Sequence, residues 1–404
     1  MLGKLYLNNA EQILLIALIF LLPISTFATN ITSVLILLLW LFTGNFKEKF
    51  SQIRSSKLVM AAIIFFGLHV IGLLWTEDLH WGAKIIKKML DFALLLPILF
   101  VMVKKEYIKH YVSAFLLAIT ISEFYSYLIW FEVMAPFGHA TVNDPTPFVF
   151  HVIYNPLLAF AIYLLAYEIR FNQQSSKIRR YFSLFLFFTM SINMFITGGR
   201  AGQVGYFVLL VLFIFQCFRL QKMKAFLISL LIIPVIFFSA YNASDLFKNR
   251  VEMVVTNLVS YSEHQNDSSV GQRITYILNS WEIISENPIL GVGTGDFKTE
   301  YTAVNDRNHS VVTNLHNPHN MYILVLVQLG LVGLISLFSL FYYQIKFSLT
   351  ASSQFSRDIG LALPVFFLVV MWSESYLLLH HTTVLFIFFS SFLYKDFEYK
   401  SSQI

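Results

Sequence analysis

Between Met321 and Tyr343 the chain runs for 23 residues without a charged side chain, and a run of that length leaves few structures open. A helix rises about 1.5 Å per residue, so about 20 apolar residues cross a hydrocarbon core about 30 Å thick. Lipid offers the backbone no water, so such a segment must satisfy its own N–H and C=O groups as an α-helix. Eleven further apolar stretches, bounded by charges or by Pro, Gly and Asn, read the same way. The expected spans are 11–28, 30–45, 58–74, 84–103, 110–133, 149–169, 181–197, 201–218, 225–241, 320–344, 358–373 and 376–394. With 57% hydrophobic and 13% charged residues, 404 residues cannot close around a water-soluble core. The expected fold is all-α, a polytopic membrane helix bundle of about 12 transmembrane helices, with 1–404 a single integral membrane domain.

Basic residues set its orientation, because cytoplasmic loops are enriched in Lys and Arg. With the N-terminus inside, most of the 28 basic residues fall in inside connections, among them Lys47, Lys49, Arg54, Lys104, Lys105, Arg179, Arg180, Lys222 and Lys224. Both termini are expected in the cytoplasm, with Lys177 inside and Asn266 outside. The net charge of +5 is this topological bias and gives no reason to expect a nucleic-acid partner. Cys217 is the single cysteine, which excludes an intramolecular disulfide or a Cys-rich metal site. The apolar run after Lys4 reads as part of an uncleaved first hairpin, because a second apolar run follows it directly.

One connection is unlike the rest. Residues 242–319 form a polar insert between spans nine and ten on the outer, periplasmic face, and loops of that length usually bind or catalyse. Within it Ile274, Ile277, Leu278, Trp281 and Ile284 recur at helical spacing up to Asn287-Pro288, which predicts an amphipathic helix whose stripe lies on the membrane or caps the bundle. Gly291-Val-Gly-Thr-Gly295 follows a helix and a proline instead of a strand, so it reads as a tight turn and not as a phosphate loop. No internal repeat supports an inverted-repeat transporter, and the polar groups gather on one face instead of at mid-membrane.

The candidate chemistry sits at the edge of that loop. His316 and His319 lie in Asn314-Leu-His-Asn-Pro-His-Asn320 at the membrane–water boundary, three residues apart, a spacing that allows one shared helical face. A neutral imidazole there suits a general base; its bland reading is a polar cap. A zinc site is the competing use of a His pair and needs a third ligand, for which His309 and Asp306 are available without any telling spacing. Arg200, in Gly198-Gly-Arg-Ala-Gly202, and Arg273 carry guanidinium forks that match phosphate oxygens. The bland alternatives are a snorkelling or helix-capping Arg200 and an ordinary loop ion pair for Arg273. Glu374, on the outer turn between the last two spans, stands close in depth to His319.

These motifs in this order resemble the O-antigen ligase and polymerase superfamily of bacterial glycan-transferring membrane proteins. The resemblance rests on Gly198–Gly202, on Arg273 leading into Trp281-Glu-Ile-Ile-Ser-Glu-Asn-Pro-Ile-Leu-Gly-Val-Gly-Thr-Gly-Asp-Phe297, and on His319-Asn-Met-Tyr-Ile-Leu324 followed by Leu329-Gly-Leu-Val-Gly333. It implies an inner-membrane glycosyltransferase of the O-antigen ligase type in lipopolysaccharide biosynthesis, active on the periplasmic face, without cofactor or metal. The implied donor is an undecaprenyl diphosphate-linked glycan and the implied acceptor a lipid A-core sugar, joined with inversion. Arg200 and Arg273 would hold the carrier diphosphate, and His319 would activate the acceptor hydroxyl. Ile323 stands where Leu is frequent, and the extra His316 leaves two imidazoles to choose between. An O-antigen polymerase and a protein O-oligosaccharyltransferase are sister readings, and a lipid-linked sugar transporter is the rival from another class.

Overall fold

A computed structural model describes residues 2–172, 176–262, 269–308 and 315–397; Asn266, His309 and Asn314 lie outside them. The described residues are all-helical, without a strand. In chain order the helices are α1 Leu2–Leu21, α2 Thr26–Phe42, α3 Phe46–Ser55, α4 Lys57–Ile71, α5 Leu79–Ala93, α6 Leu95–Met102, α7 Ile108–Trp130, α8 His151–Phe171, α9 Lys177–Ile196, α10 Arg200–Cys217, α11 Lys222–Ala243, α12 Asp245–Ser262, α13 Ser269–Glu286, α14 Phe297–Arg307, α15 Met321–Thr350, α16 Gln354–Val370 and α17 His380–Leu393. A helix stands at each of the twelve expected positions, with 84–103 divided between α5 and α6. Pro97 explains that division: it cannot donate to the Ala93 carbonyl and its ring clashes there, so α5 stops at Ala93.

Six of the described helices are long and apolar enough to cross a membrane: Lys57–Trp75, Lys105–Trp130, His151–Phe171, Arg200–Cys217, Lys222–Ala243 and Met321–Thr350. A seventh arises if α2 and α3, bent by 118°, count as one, while Asn9–Leu21 and His380–Leu393 are shorter apolar helices. This is a membrane protein, and length and composition by themselves carry about half of the expected spans.

Backbone packing divides the chain into two compact units, Met1–Leu39 with Lys104–Glu252, and Trp40–Val103 with Met253–Ile404. In the first, α8 is the central helix: Leu157 to Leu165 are all buried, and it packs on α7, α9 and α10. Polar pairs fix its rotation. Tyr154 donates to Asn193 Oδ1 at 2.9 Å, Asn193 donates on to Ser126 Oγ at 2.9 Å, and Tyr163 donates to Gln216 Oε1 at 2.9 Å. Such bonds replace the hydrophobic drive that lipid cannot supply between helices.

In the second unit α17 is buried along almost its whole length, α15 packs on α4 and α16, and α4 packs on α5. Lys395 closes the end of α6 by donating to the carbonyls of Phe100, Val101 and Val103 at 2.5, 3.3 and 3.1 Å, satisfying oxygens that have no helical partner.

The glycine segment does more than turn. Helix α15 is broken at Gly330 (φ 59°, ψ −156°), a conformation essentially reserved for glycine. The break frees backbone groups, and 288–293 takes them up. Val292 N and Gly293 N donate to the carbonyls of Val327 and Gln328 at 2.9 and 3.0 Å, while Leu331 N and Val332 N donate to those of Pro288 and Ile289 at 2.9 and 3.2 Å. Gln328, 1% exposed, donates to Thr294 O, and Thr294 donates to His69 O at 2.7 Å, tying the segment to α4. Irregular backbone at membrane depth survives only when protein pairs it in this way.

Candidate active site

His319 is held by its backbone before its side chain is considered. It adopts φ 52°, left-handed and uncommon outside glycine. Its N–H donates to Asn317 Oδ1 at 3.1 Å, and the next residue, Asn320, caps α15 by accepting from Tyr322 N and Ile323 N at 3.0 and 3.1 Å. The expectation that His316 and His319 share a helical face is corrected here: α15 begins at Met321, and the left-handed turn sends the two rings to different neighbours. His316 meets the Trp81 ring edge-on at 4.5 Å, whereas His319 Nδ1 lies 2.6 Å from Glu374 Oε2.

Glu374 is itself ordered. Its Oε1 accepts from Asn317 Nδ2 at 2.9 Å and from Ser375 N at 2.8 Å, and the Ser375 hydroxyl donates to Asn317 Oδ1 at 2.8 Å. Burial works against the negative charge, but the hydrogen bond and charge of His319, the Ser375 N–H and the Asn317 amide together hold the carboxyl below its ordinary range. A carboxylate facing Nδ1 places the imidazole proton on that nitrogen and leaves Nε2 as the acceptor. The His319 side chain is 39% exposed and that of Glu374 10%, so the buried member orients the accessible one.

Arg273 belongs to the same unit. It is exposed on α13, one turn before Tyr276, whose ring is tilted by 31° against that of His319 with centroids 6.3 Å apart. Burial raises the Tyr276 phenol pKa and the positive charge of Arg273 opposes it. The amphipathic helix ends as predicted, at Glu286, and of its apolar stripe only Ile284 is fully buried against protein. Tyr276, Asn279, Ser280 and Ile283 point inward, while Ile277, Leu278 and Trp281 stay exposed.

Arg200 lies in the first unit, as the first residue of α10, half-buried. The glycines before it have a packing reason. A Cβ on Gly199 would come within 2.5 Å of His151 O and 2.6 Å of Asn155, so the turn lies flush on the start of α8. Gly198 N donates to Asp144 Oδ1 at 2.9 Å, and Asp144 Oδ2 is paired with His151 Nδ1. Asn155 and Gln203 donate to the end of α9, to Met194 O at 3.2 Å in both cases.

Residues 185–338 match the family model for O-antigen ligase. The match supports the chain's place in the O-antigen ligase and polymerase superfamily, as the motifs led us to expect. Arg200, Arg273, His316 and His319 fall inside the matched region, and Glu374 lies beyond its end. A comparison with curated proteins gives no match. Sequence reasoning passed over Asn317, Ser375, Asp144 and His151. Asn317 stood within the Asn- and His-rich segment already singled out, whereas the Asp144–His151 pairing has no sequence signal beyond two polar residues seven apart.

Proposed function

We propose that the protein is an O-antigen ligase, an inverting, metal-independent glycosyltransferase that moves a glycan from undecaprenyl diphosphate to a lipid A-core sugar at the periplasmic face of the bacterial inner membrane. The observation that supports this best is the His319–Glu374 pair at the mouth of α15, whose histidine lies within the region that matches the O-antigen ligase family. A glycosyl diphosphate is already activated, so the reaction needs a proton acceptor for one hydroxyl and positive charge for the departing diphosphate. His319 Nε2 takes the proton as the acceptor oxygen bonds to the anomeric carbon from the side opposite the carrier. The bond from that carbon to the diphosphate oxygen breaks, and the electron pair leaves with the diphosphate. Glu374 keeps the proton on Nδ1. Arg200 and Arg273 are assigned to the diphosphate on the strength of their motifs and of guanidinium chemistry. Twelve spans with cytoplasmic termini and a periplasmic 242–319 complete the proposal.

The test is transfer by purified protein in lipid nanodiscs, with carrier-linked glycan as donor and lipid A-core or a second carrier-linked glycan as acceptor, with chelator present. We expect product on lipid A-core, His319→Ala slower by about 10²-fold or more, and His316→Ala substantially active. Product only on the second carrier glycan would make the protein a polymerase, inactivity with chelator would refute the metal-free step, and the reverse order of the two His variants would move the base to His316.

A further inference from the structure

We propose that Asp144, held by His151, is a positioning residue for Arg200, and through it for the isoprenyl diphosphate of the donor; the inference rests on the diphosphate role assigned to Arg200 above. The turn that delivers Arg200 to the start of α10 has no side chain of its own to hold it, because residues 198 and 199 are both glycine. Its placement is set from outside: Asn155 and Gln203 donate to the hydroxyl and the carbonyl of the preceding Thr197 at 2.9 and 3.1 Å, and two further contacts act on the glycines themselves. One is the flat contact of Gly199 on the first turn of α8. The other is the Asp144 carboxylate, which accepts the Gly198 N–H through Oδ1 and binds the His151 imidazole through Oδ2.

Several observations set this carboxylate apart from an incidental loop contact. Asp144 closes a tight turn, exchanging backbone hydrogen bonds with Thr141 at 3.0 and 3.2 Å, so its own backbone is fixed. His151 is the first residue of α8, so the second carboxylate oxygen is anchored to the central helix of the unit. The two side chains are 19% and 15% exposed, which shields the pair from water. A Cβ at position 198 would stand 3.2 Å from both Asp144 Oδ2 and Arg250 Nη2, so Gly198 also keeps open the space between an acid and a second guanidinium. A charged acceptor on a backbone N–H makes a stronger and better directed bond than a neutral one, and a guanidinium fork engages phosphate bidentately only when its base is correctly aimed.

The experiment is binding of undecaprenyl diphosphate to the purified full chain in detergent, read by native mass spectrometry, with the folded fraction of each variant measured alongside. Asp144→Ala should weaken binding about tenfold, in line with the loss of one charge-assisted bond. Asp144→Asn, which retains an oxygen for the Gly198 N–H, should recover most of it. Asp144→Ala placed on Arg200→Ala should add little, because the residue acts through Arg200. Unchanged affinity in Asp144→Ala, or an equal further loss in the Arg200→Ala background, overturns the inference while leaving Arg200 in its role. Unchanged affinity in Arg200→Ala overturns that role and this inference together. If Asp144→Ala does not fold, His151→Ala and Asp144→Asn decide: reduced affinity in His151→Ala with near-normal affinity in Asp144→Asn supports positioning, and unchanged affinity in His151→Ala removes it.

Discussion

Replacing Glu374 by Gln changes one atom, and the surrounding donors dictate which way the new amide must face. Asn317 Nδ2 and Ser375 N both donate to Oε1, at 2.9 and 2.8 Å. In Glu374→Gln those two donors claim the single remaining oxygen, so the NH2 group is left at the position of Oε2, 2.6 Å from His319 Nδ1. It then donates into Nδ1 and drives the ring proton onto Nε2, the atom that has to accept one. Loss of the charge-assisted bond alone corresponds to roughly 1.5–3 kcal/mol, about ten- to 150-fold in rate at 1.4 kcal/mol per decade. The wrong tautomer adds to it, for a total on the order of 10²–10⁴-fold, by analogy with the Asp-to-Asn replacement in a catalytic triad. Glu374→Ala, which leaves the tautomer unbiased, should lose less than Glu374→Gln. The assay is initial rate of glycan transfer at saturating donor, with donor binding measured separately and expected to stay near that of the parent. Transfer by Glu374→Gln within about threefold of the parent would refute the orienting role, and a larger loss in Ala than in Gln would refute the tautomer argument.

Gly330→Ala should destabilise by about 3 kcal/mol or more: the glycine-only conformation costs roughly 1–3 kcal/mol for another residue, and a Cβ there overlaps the Ile289 carbonyl, putting at risk four backbone hydrogen bonds of roughly 0.5–1.5 kcal/mol each. Thermal unfolding in detergent checks this against Gly67→Ala, which meets nothing within 4 Å and should leave the midpoint near its starting value. Arg200→Ala and Arg273→Ala should abolish most transfer while remaining inserted, and the Lys variants should recover only part of it, as read by cell-surface glycan. After Cys217 is replaced, an impermeant thiol reagent on intact cells should spare Lys177→Cys and label Lys298→Cys; the opposite pattern overturns the topology. Because the folded-state pKa of Glu374 is depressed below its ordinary value of 4.5, the stability it contributes is present above that value and lost as pH falls through the lowered one. Unfolding curves of the parent and Glu374→Gln should therefore stay apart at neutral pH and converge only in acid below about pH 4.5.

How much of this was legible beforehand depends on the range of each interaction. Helix α13 ends where Asn287-Pro288 says it must, and helix positions follow the apolar runs because lipid leaves the backbone one solution. The stripe on α13 allowed two placements, on the membrane or over the bundle, since apolarity in a membrane protein marks lipid contact as readily as core; Ile277, Leu278 and Trp281 stay outside while Tyr276, Asn279 and Ser280 turn in. The left-handed His319 was invisible because helical spacing presupposes a helix. Glu374 could be placed near His319 by topology alone, but the Asn317 bridge that locks both depends on a tertiary approach across 57 positions of chain. Likewise the break at Gly330 was unreadable until its partners at 288–293 were known.

That break bears on how the protein can be cut and recombined. Residues 288–293 sit inside what the sequence presents as an external insert, yet they supply the hydrogen bonds that α15 lacks at its kink. The insert and the helix after it are one module, and excising 242–319 to obtain a minimal bundle would leave two carbonyls and two N–H groups of α15 without these partners. A chimera that exchanges the insert between relatives must carry α15 with it. Synthesis imposes the same order: 288–293 emerges first, and α15 completes its backbone pairing only once that segment is close enough to be taken in.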